Sequence, residues 1–491
     1  MNPYSHHYNT IVIGVGGMGS AACYELARRG QSVLGIEQFN IPHDQGSSHG
    51  YTRIIRLAYY EHPAYVMLLR RAYELWEEIE RVAGERLLYK VGSVDAGPAD
   101  SWVFKGSFRS AVEMGIDHEV LTGIELSKRF PGYRLPQDIM ALYQKDGGFL
   151  TPERCVVSYV NAAVAHGAEI HGRETVLGWE PRGDGVRVFT DRAAYEADSL
   201  VFTAGSWNSR LMPWLHGLAT PELQVLIWMQ PERPEHFRLD NFPVFNCLVD
   251  EGRFYGFPVF GVPGFKFGKY HHFEEQGAPE AIKREPSRED EEMLREFAAR
   301  YFPHATGPTM TLKECMFTNA PDGHFIVDLH PEFPQVSFAS ACSGHGYKFA
   351  SVIGEILADL AERQTCRHDL SLFSLSRFGG PLSRLHRNKL DLIVHGLPGA
   401  ERRLGEGRRN HVHSQHHHSL SRARYAIRDT QHAHRRPPLL AGRRCSNVLV
   451  DNCGSTAHGW QRFPCATAGL KGRGPARKTG FATRVTSGIM P

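Results

Sequence analysis

One short stretch of the chain contains both a cysteine and a glycine-rich turn. Cys315 is followed about thirty residues later by SGHGYK at residues 343–348. A thiolate is a nucleophile that can bond covalently to a cofactor, and a glycine-rich helix start can stabilise negative charge. The pair therefore suggests a covalently held flavin. A buried cysteine followed by an ordinary turn is the alternative that these residues alone leave open.

A glycine fingerprint near the N-terminus is the second candidate site. Gly14, Gly16 and Gly19 form G-x-G-x-x-G directly after the apolar run 10–13, and Glu37 ends the next apolar run. In such a unit the glycines permit a tight turn, close approach of a pyrophosphate, and packing of a helix on a strand. An acid at the position of Glu37 accepts hydrogen bonds from ribose hydroxyls, which favours FAD or NAD over NADP.

Regular elements must position this fingerprint. Residues 10–13 are predicted to form a buried strand, and the spacing of apolar residues predicts a helix that follows the glycines and stops at Gly30. A second strand is predicted over residues 32–36. A later apolar strand, 199–202, ends in a small-residue turn that could pass close to a dinucleotide, although a plain core strand is an equal alternative.

A polar loop over residues 41–56 leads toward a second predicted helix. This helix begins near Pro63 and runs to about residue 80. A long loop beside a nucleotide unit is typical of a binding site, whereas a solvated loop with surface arginines is the plainer interpretation. The polar side chains of interest in this segment are His49, Thr52, Arg53 and Arg56.

Composition divides the chain into an acidic body and a basic tail. Its 491 residues, 42% of them hydrophobic, suffice for more than one domain. Residues 1–378 hold 36 Lys+Arg and 48 Asp+Glu, a net charge of −12, whereas residues 379–491 hold 20 and 5, a net charge of +15. The tail, rich in arginine and histidine, could bind nucleic acid, but it lacks interleaved aromatic residues and is predicted to be a low-order extension.

Cysteine usage and hydropathy indicate a compartment. Six of the nine cysteines lie in the acidic body, widely spaced and without a C-x-x-C pair, so neither a disulfide framework nor a metal site is expected. There is no signal-peptide pattern, and no apolar run reaches the roughly 18 residues of a membrane span. We therefore predict a cytoplasmic protein that does not enter a membrane.

Four segments in order carry a resemblance to a known family. They are the glycine fingerprint unit, HGYTRIIR at residues 49–56, the segment 255–266 that begins YGFP, and the block 315–348. Together they resemble the monomeric sarcosine oxidase and N-methyltryptophan oxidase family, which comprises FAD-dependent amine oxidases of the D-amino acid oxidase-like superfamily. The resemblance covers residues 8 to 378, nearly the whole acidic body.

The resemblance implies an α/β fold with two domains. A discontinuous Rossmann-like FAD-binding domain would comprise residues 8–85, 148–215 and 312–378. A mixed-sheet α+β substrate domain would comprise residues 86–147 and 216–311. Residues 379–491 would remain outside both as the basic tail.

The resemblance also implies how FAD is held. Cys315 matches the cysteine that forms a thioether with the 8α carbon of the flavin. Gly344 and Gly346 match the turn that lies against the flavin pyrimidine edge, and Thr52 matches a further cofactor-binding position. Gly14, Gly16, Gly19 and Glu37 keep the roles that the fingerprint gives them.

Charged residues receive their roles from the same resemblance. Arg56 and Lys348 match the pair that clamps the substrate carboxylate. Arg53 and His49 match residues beside the flavin ring. Lys266 matches the lysine near flavin N5, where a cation can stabilise superoxide as oxygen takes its first electron.

The predicted substrate pocket departs from the family pattern. Tyr255 and His271 match pocket positions, but the segment 266–272 carries one residue more than the family pattern, so the pocket histidine could equally be His272. Phe317 stands where a tyrosine is common, and Ser48 stands where a second histidine precedes the HGYTRIIR segment. These differences affect the substrate more than the redox chemistry.

The implied reaction is the FAD-dependent oxidation of a secondary amino acid such as sarcosine. Oxygen would be reduced to hydrogen peroxide, and the imine would be hydrolysed to an amino acid and formaldehyde. N-methyltryptophan or a cyclic imino acid such as pipecolate is an alternative substrate. A dehydrogenase with another acceptor is a second alternative, against which Lys266 argues, and a nucleic-acid-associated protein is a third. The partners expected are the amino acid and O2, with the protein acting as a monomer.

Overall fold

The structure, a computed structural model, describes residues 7–379. The predicted basic tail therefore lies outside the described residues, apart from Gly379. The strands are β1 His7–Ile13, β2 Val33–Ile36, β3 Arg53–Ile55, β4 Leu88–Lys90, β5 Ser93–Pro98, β6 Glu119–Thr122, β7 Ile139–Gln144, β8 Gly148–Leu150, β9 Glu169–His171, β10 Val176–Arg182, β11 Gly185–Thr190, β12 Ala194–Phe202, β13 Thr220–Met229, β14 Val244–Val249, β15 Gly252–Phe257, β16 Phe265–Lys269, β17 Thr309–Asn319, β18 Ile326–Leu329 and β19 Val336–Ser340. The α-helices are α1 Gly17–Arg28, α2 Tyr65–Ala83, α3 Trp102–Glu113, α4 Gly123–Arg129, α5 Pro152–Ala165, α6 Asn208–Leu211, α7 Pro279–Ile282, α8 Arg288–Tyr301 and α9 Ala350–Arg363.

The first sheet contains the glycine fingerprint. Its order is β10-β11-β12-β1-β2-β9, and β19 joins it beside β12. β1 pairs in parallel with both β2 and β12, and the β-branched side chains of Ile11 and Val12 are fully buried, as expected for a parallel sheet covered on both faces. The predicted strand, glycine turn, helix and strand are confirmed. Helix α1 ends at Arg28, two residues before Gly30, whose φ is +85°.

The strand predicted over residues 199–202 is the end of β12 and lies directly beside β1. The turn after it approaches the glycine fingerprint closely: a Cβ on Gly14 would lie 2.7 Å from both the Ala204 Cα and the Thr203 carbonyl oxygen. Gly14 also has a φ of +90°, so only glycine fits this position. The carboxyl ends of β1 and β12 therefore meet at one edge of the sheet, where ligands bind in such folds.

The second sheet has the order β17-β13-β16-β15-β14-β5-β7-β6 and is antiparallel except between β14 and β5. One face packs on an aromatic core, whose most buried members include Phe237, Phe245, Phe254, Phe265, Phe297 and Phe302. β17 pairs with β13 along almost its whole length. The proposed domain boundary at residue 312 thus falls inside this strand, and the division into two domains remains a proposal.

Two further elements bring the polar loop and the glycine turn together. β3 pairs with β8 in a small sheet of three strands, which fixes Arg53 at the start of β3. A 3₁₀ turn, Tyr347–Phe349, leads directly into α9, whose buried face packs against α1. The second predicted helix is α2, which ends at Gly84 with a φ of +64°. Across residues 7–379, no helix combines the length and apolarity needed to cross a bilayer.

Candidate active site

A single large cavity joins the fingerprint to the cysteine and the glycine-rich turn. It measures about 1600 Å³ including its open mouth. Gly14, Gly16 and Glu37 line one end, and Cys315 and Lys348 line the other. The wall between them is formed mainly by Ser47, Ser48, Arg53, Ala204, Tyr255, Phe257, Tyr270, Phe317, Gly344 and Gly346. The cavity thus brings the predicted nucleotide and substrate residues into one continuous space.

The nucleotide end is shaped by backbone and by one fixed carboxylate. A Cβ on Gly19 would lie 1.9 Å from the Gly14 carbonyl oxygen, so helix α1 can approach β1 only with glycine there. A Cβ on Gly16 would meet nothing nearer than the Ser48 Oγ at 3.7 Å, which leaves the backbone open to the cavity. Glu37 accepts hydrogen bonds from the Val15 and Phe39 N–H groups, each at 3.0 Å, and is held at the cavity edge.

The glycine-rich turn requires glycine for steric reasons. A Cβ on Gly346 would lie 1.7 Å from the Ala341 carbonyl oxygen, and one on Gly344 would lie 2.7 Å from the Phe317 ring. The turn therefore runs along the cavity wall with its backbone facing the space. Lys348 follows within the 3₁₀ turn that begins α9.

Cys315 lies on β17 with its thiol beside a guanidinium. The Arg53 Nη2 donates to the Cys315 Sγ at 3.3 Å and to the Ser47 carbonyl oxygen at 2.8 Å. Burial raises the pKa of the Cys315 thiol, and the positive charge of Arg53 opposes this rise. The arginine can therefore stabilise the thiolate when it forms. His49 is buried nearby, and burial with Arg53 holds its pKa well below the usual value, so its ring is neutral.

Lys266 is buried on β16 and is fully hydrogen-bonded. Its Nζ donates to the Gly50 carbonyl oxygen at 2.7 Å and to the Thr52 carbonyl and hydroxyl oxygens, both at 2.9 Å. Burial, followed by the charge of Arg53, lowers its pKa well below the usual value. Neither Lys266 nor Thr52 lines the cavity. The structure places them one layer behind Arg53.

The two residues predicted to bind a carboxylate have different surroundings. Lys348 lines the cavity, donates to the His345 carbonyl oxygen at 2.6 Å, and has the Tyr59 Oη at 3.5 Å. Burial and then the charge of Arg56 lower the pKa of Lys348 to about 7. Among residues 7–379 no carboxylate lies within ion-pair distance of its Nζ. Within this range it is a buried amine without an ion-pair partner, and it is protonated below about pH 7.

Arg56, by contrast, already has two carboxylate partners. Its Nη2 lies 3.0 Å from Glu61, its Nε lies 3.4 Å from Asp95, and its guanidinium stacks over the rings of Tyr59 and Tyr60. It is 1% exposed and does not line the cavity. Glu61 and Asp95 are residues that the sequence analysis missed, because nothing in their local sequence marks them as partners of Arg56.

The pocket residues are only partly brought together. Tyr255 lines the cavity, and its hydroxyl has no hydrogen-bond partner within residues 7–379. His271, in a left-handed conformation with φ +54°, instead pairs with Glu222 at 2.9 Å. His272 is buried against Asp290 at 2.8 Å. Neither histidine lines the cavity, whereas Tyr270, which was not singled out, does.

The cavity fits FAD by its own features. It offers an open backbone at Gly16, a fixed carboxylate at Glu37, a cysteine, and a glycine turn in one space. The family model described as FAD dependent oxidoreductase (DAO) matches residues 9–360. The chain belongs to this FAD-dependent oxidoreductase family, and FAD is its cofactor.

Particular relatives narrow the comparison. The monomeric sarcosine oxidase of Streptomyces avermitilis is 41% identical over 376 residues, which cover 75% of this chain and 97% of that protein. The monomeric sarcosine oxidase of Bacillus sp. (strain NS-129) is 38% identical, with 76% and 97% covered. The N-methyl-L-tryptophan oxidase of Yersinia pestis (strain Pestoides F) is 34% identical, with 76% and 99% covered.

Solved structures agree on the fold. The open form of NikD, an unusual amino acid oxidase essential for nikkomycin biosynthesis, superimposes with a TM-score of 0.66 at 24% identity, covering 75% of this chain and 98% of that one. At this identity the likeness concerns the fold alone. It confirms the predicted α/β class.

Proposed function

We propose that the protein oxidises an N-methyl amino acid, sarcosine first among the candidates, with O2 as the electron acceptor. The products would be hydrogen peroxide and an imine that water converts to the amino acid and formaldehyde. Its identity of 41% to a sarcosine oxidase supports this choice over N-methyltryptophan, whose oxidase is 34% identical. The observation that carries the proposal is Lys348, a buried amine without an ion-pair partner among residues 7–379, at the end of the cavity opposite Glu37.

Lys348 would bind the substrate carboxylate. Its contacts to His345 and Tyr59 leave donor capacity on the cavity side, and a bound carboxylate would raise its lowered pKa and keep it protonated. Arg56 would add positive potential from behind, and its two carboxylates would hold it in place. The unpartnered hydroxyl of Tyr255 would face the remainder of the substrate.

FAD supplies the electron-accepting ring for this oxidation. Cys315 is proposed as its covalent attachment point, because Arg53 places a positive charge 3.3 Å from the sulfur and would stabilise the reactive thiolate. Lys266 is proposed to support the reduction of oxygen through its charge rather than through a free N–H. Burial lowers its pKa, but the three oxygen acceptors from Gly50 and Thr52 that engage its protons would stabilise the charged form. His49 would remain a neutral packing partner.

The oligomeric state, the compartment and the partners of the protein are part of the same proposal. We infer a monomer, since both sarcosine oxidases above are described as monomeric, and a cytoplasmic site of action, since none of the six cysteines of residues 7–379 forms a disulfide. The partners would be the amino acid and O2. Nucleic acid binding is not part of the proposed function.

A peroxide assay across three substrates tests the activity. We expect the purified yellow protein to release peroxide fastest from sarcosine, more slowly from N-methyltryptophan, and most slowly from pipecolate. Turnover of sarcosine with an artificial acceptor but without peroxide would point to a dehydrogenase. Peroxide from none of the three would refute the proposal.

Acid precipitation tests the attachment of the flavin. The yellow colour should remain with the pellet for the natural protein and pass into the supernatant for Cys315→Ala. Cys342→Ala is the matched control, because Cys342 also lines the cavity but lies off β17. Colour retained by Cys315→Ala would show that another residue holds the flavin.

A further inference from the structure

The strands β15 and β16 carry a row of paired side chains on the face opposite the aromatic core. Phe254 points into that core, so its neighbours on β15 point the other way, toward the cavity. On this face, alternate residues of β15 lie opposite residues of β16 and opposite Tyr270, which directly follows β16. Running outward, the pairs are Phe257 with Lys266, Tyr255 with Gly268, and Arg253 with Tyr270.

Arg253, at the outer end of this row, is a cation held by aromatic rings. Its Cζ lies 3.5 Å from the ring centroid of Tyr270, 4.9 Å from that of Trp102, and 5.7 Å from that of Tyr60. Within residues 7–379 no carboxylate lies at ion-pair distance from its guanidinium. Stacking occupies the face of a guanidinium and leaves the N–H groups at its edge free to bind an anion.

Arg253 opens into a second space, which we call the outer cleft. The cleft measures about 1060 Å³ including its mouth and is lined by Trp102, Arg253, Lys269, Tyr270, His272 and Phe273, and also by the acidic residues Asp250, Glu251 and Glu274. His272, which lines the cleft, has a buried Nδ1 without a hydrogen-bond partner among the described residues, while its Nε2 pairs with Asp290. Glu251, which also borders the cleft, is engaged by Arg300 and by the Tyr301 hydroxyl.

Tyr270 separates the outer cleft from the large cavity. It lines both spaces, and its ring packs against Tyr255 at 4.9 Å and Phe317 at 5.7 Å on the cavity side. On its other side lies the guanidinium of Arg253. One aromatic side chain thus stands between a cation in the outer cleft and the cavity that contains Lys348.

Hydrogen bonds continue from Arg253 toward the residues around Arg56. The Arg253 Nη1 lies 3.5 Å from the Tyr60 hydroxyl, which donates to the Asn246 Oδ1 at 3.1 Å. The Asn246 amide donates to Asp95 at 2.8 Å, and Asp95 is the partner of Arg56. Arg253 and Arg56 therefore belong to one connected polar network.

We propose that the outer cleft is a second carboxylate-binding site, with Arg253 as its cation. The planar fork of a guanidinium matches a carboxylate, and Trp102 and Phe273, which are 49% and 42% exposed, offer apolar surface to N-methyl groups. The substrate would bind here first and then pass Tyr270 to reach Lys348. That the ligand is the substrate rests on the proposed function, whereas the carboxylate site itself does not.

Binding of trifluoroacetate to the holoenzyme, followed by fluorine NMR, tests the site without turnover. We expect the natural protein to bind the probe at two sites. Arg253→Met should raise the dissociation constant of one of them by about tenfold or more, the loss expected for a charge-assisted contact. Arg253→Lys should retain part of the affinity. Lys348→Met should weaken binding at the other site by roughly 100-fold and leave this one unchanged.

Arg86→Met is the matched control. Arg86 also stacks on a tyrosine, Tyr89, at 4.4 Å and has no ion pair among the described residues, but it lies outside the cleft. Equal loss of binding in this control would overturn the proposal, as would a titration of Arg253→Met that superimposes on that of the natural protein. If Arg253→Met loses its flavin, Arg253→Lys is measured in its place. An affinity of Arg253→Lys at the outer site equal to that of Arg86→Met would then refute the assignment.

Kinetics separate this site from the proposed activity. Arg253→Met should lower kcat/KM for sarcosine several-fold and leave kcat unchanged, because the residue does not touch the bound substrate at Lys348. A protein that binds trifluoroacetate at both sites but does not oxidise sarcosine would refute the proposed function and keep the outer site.

Discussion

The two ends of the large cavity are formed by different kinds of chemical group. The end near Gly14 is formed by backbone, with glycines that allow close approach and one carboxylate, Glu37, held by N–H groups. The end near Lys348 is lined by Arg53 and Lys348 among aromatic rings, and further charged side chains, Arg56 with Glu61 and Asp95, lie behind it. The first end depends on sterics within one short segment, whereas the second depends on the balance of charges from distant segments.

The largest expected effect lies at the nucleotide end. Gly19→Ala would place its Cβ 1.9 Å from the Gly14 carbonyl oxygen, a clash between backbone segments that cannot relax cheaply. We expect the free energy of unfolding to fall by about 4 kcal/mol or more, with loss of bound FAD. Gly178→Ala, which meets nothing within 4 Å, should change it by less than about 0.5 kcal/mol. Chemical denaturation measures the free energy of unfolding, and flavin absorbance measures bound FAD. Equal stability of the two variants would refute the steric explanation.

At the substrate end, Lys348→Met should impair binding without loss of the fold. Removing the cation leaves the substrate carboxylate buried without its partner, so kcat/KM for sarcosine should fall by roughly 100-fold or more. Flavin content should stay unchanged. Lys90→Met removes an exposed lysine paired with Glu77 and serves as the control. If Lys348→Met loses flavin but the molecules that keep it show normal kinetics, Lys348 serves flavin binding and not substrate binding.

The pH dependence of carboxylate binding sharpens the comparison further. Lys348 has a pKa lowered to about 7 in the free protein, and a bound carboxylate raises it. Affinity for acetate, which has no amine to titrate, should be nearly constant between about pH 6 and pH 7, where the carboxylate is ionised, and should fall about tenfold per pH unit above pH 7. Perturbation of the flavin spectrum reports the dissociation constant. The slope should vanish in Lys348→Met, and a slope that persists there would assign the proton to another group.

The smallest effect is expected for Glu37→Gln. The amide can accept only one of the two N–H bonds from Val15 and Phe39 and places its NH2 group against the other. In a Cys315→Ala background, where FAD would be held without a covalent bond, we expect its dissociation constant to rise by about tenfold. Titration of the apoprotein with FAD measures this. An unchanged constant would mean that the nucleotide end is held by backbone alone.

The nucleotide end could be predicted because its determinants are contiguous. The turn at Gly14, the helix that starts near Gly16, and the acid at Glu37 follow from local sequence, and the structure contains all of them. The prediction of FAD needed the resemblance of several segments, since the fingerprint alone did not exclude NAD. The placement of Cys315 and Arg53 at the flavin was likewise implied by resemblance and not by spacing, and their direct contact was not predicted.

The substrate end could be predicted only in part. Lys348 and Tyr255 line the cavity, but Arg56 is held behind it by Glu61 and Asp95, and His271 turns toward Glu222. Tyr270, from the same segment, lines the wall instead. Such outcomes depend on which strands pair and in which register, and no local pattern encodes them.

The sequence alone thus determined the α/β class, the glycine-shaped nucleotide end, and the candidates for its chemistry, because these depend on backbone conformations that neighbouring residues set. Tertiary structure decided which of those candidates meet. It paired Arg56 with Asp95 from another sheet, left Lys348 without a counter-ion, and set Arg253 against Tyr270 at the mouth of a second cleft. Electrostatic roles depend on distances between residues far apart in the chain, and only the folded chain fixes those distances.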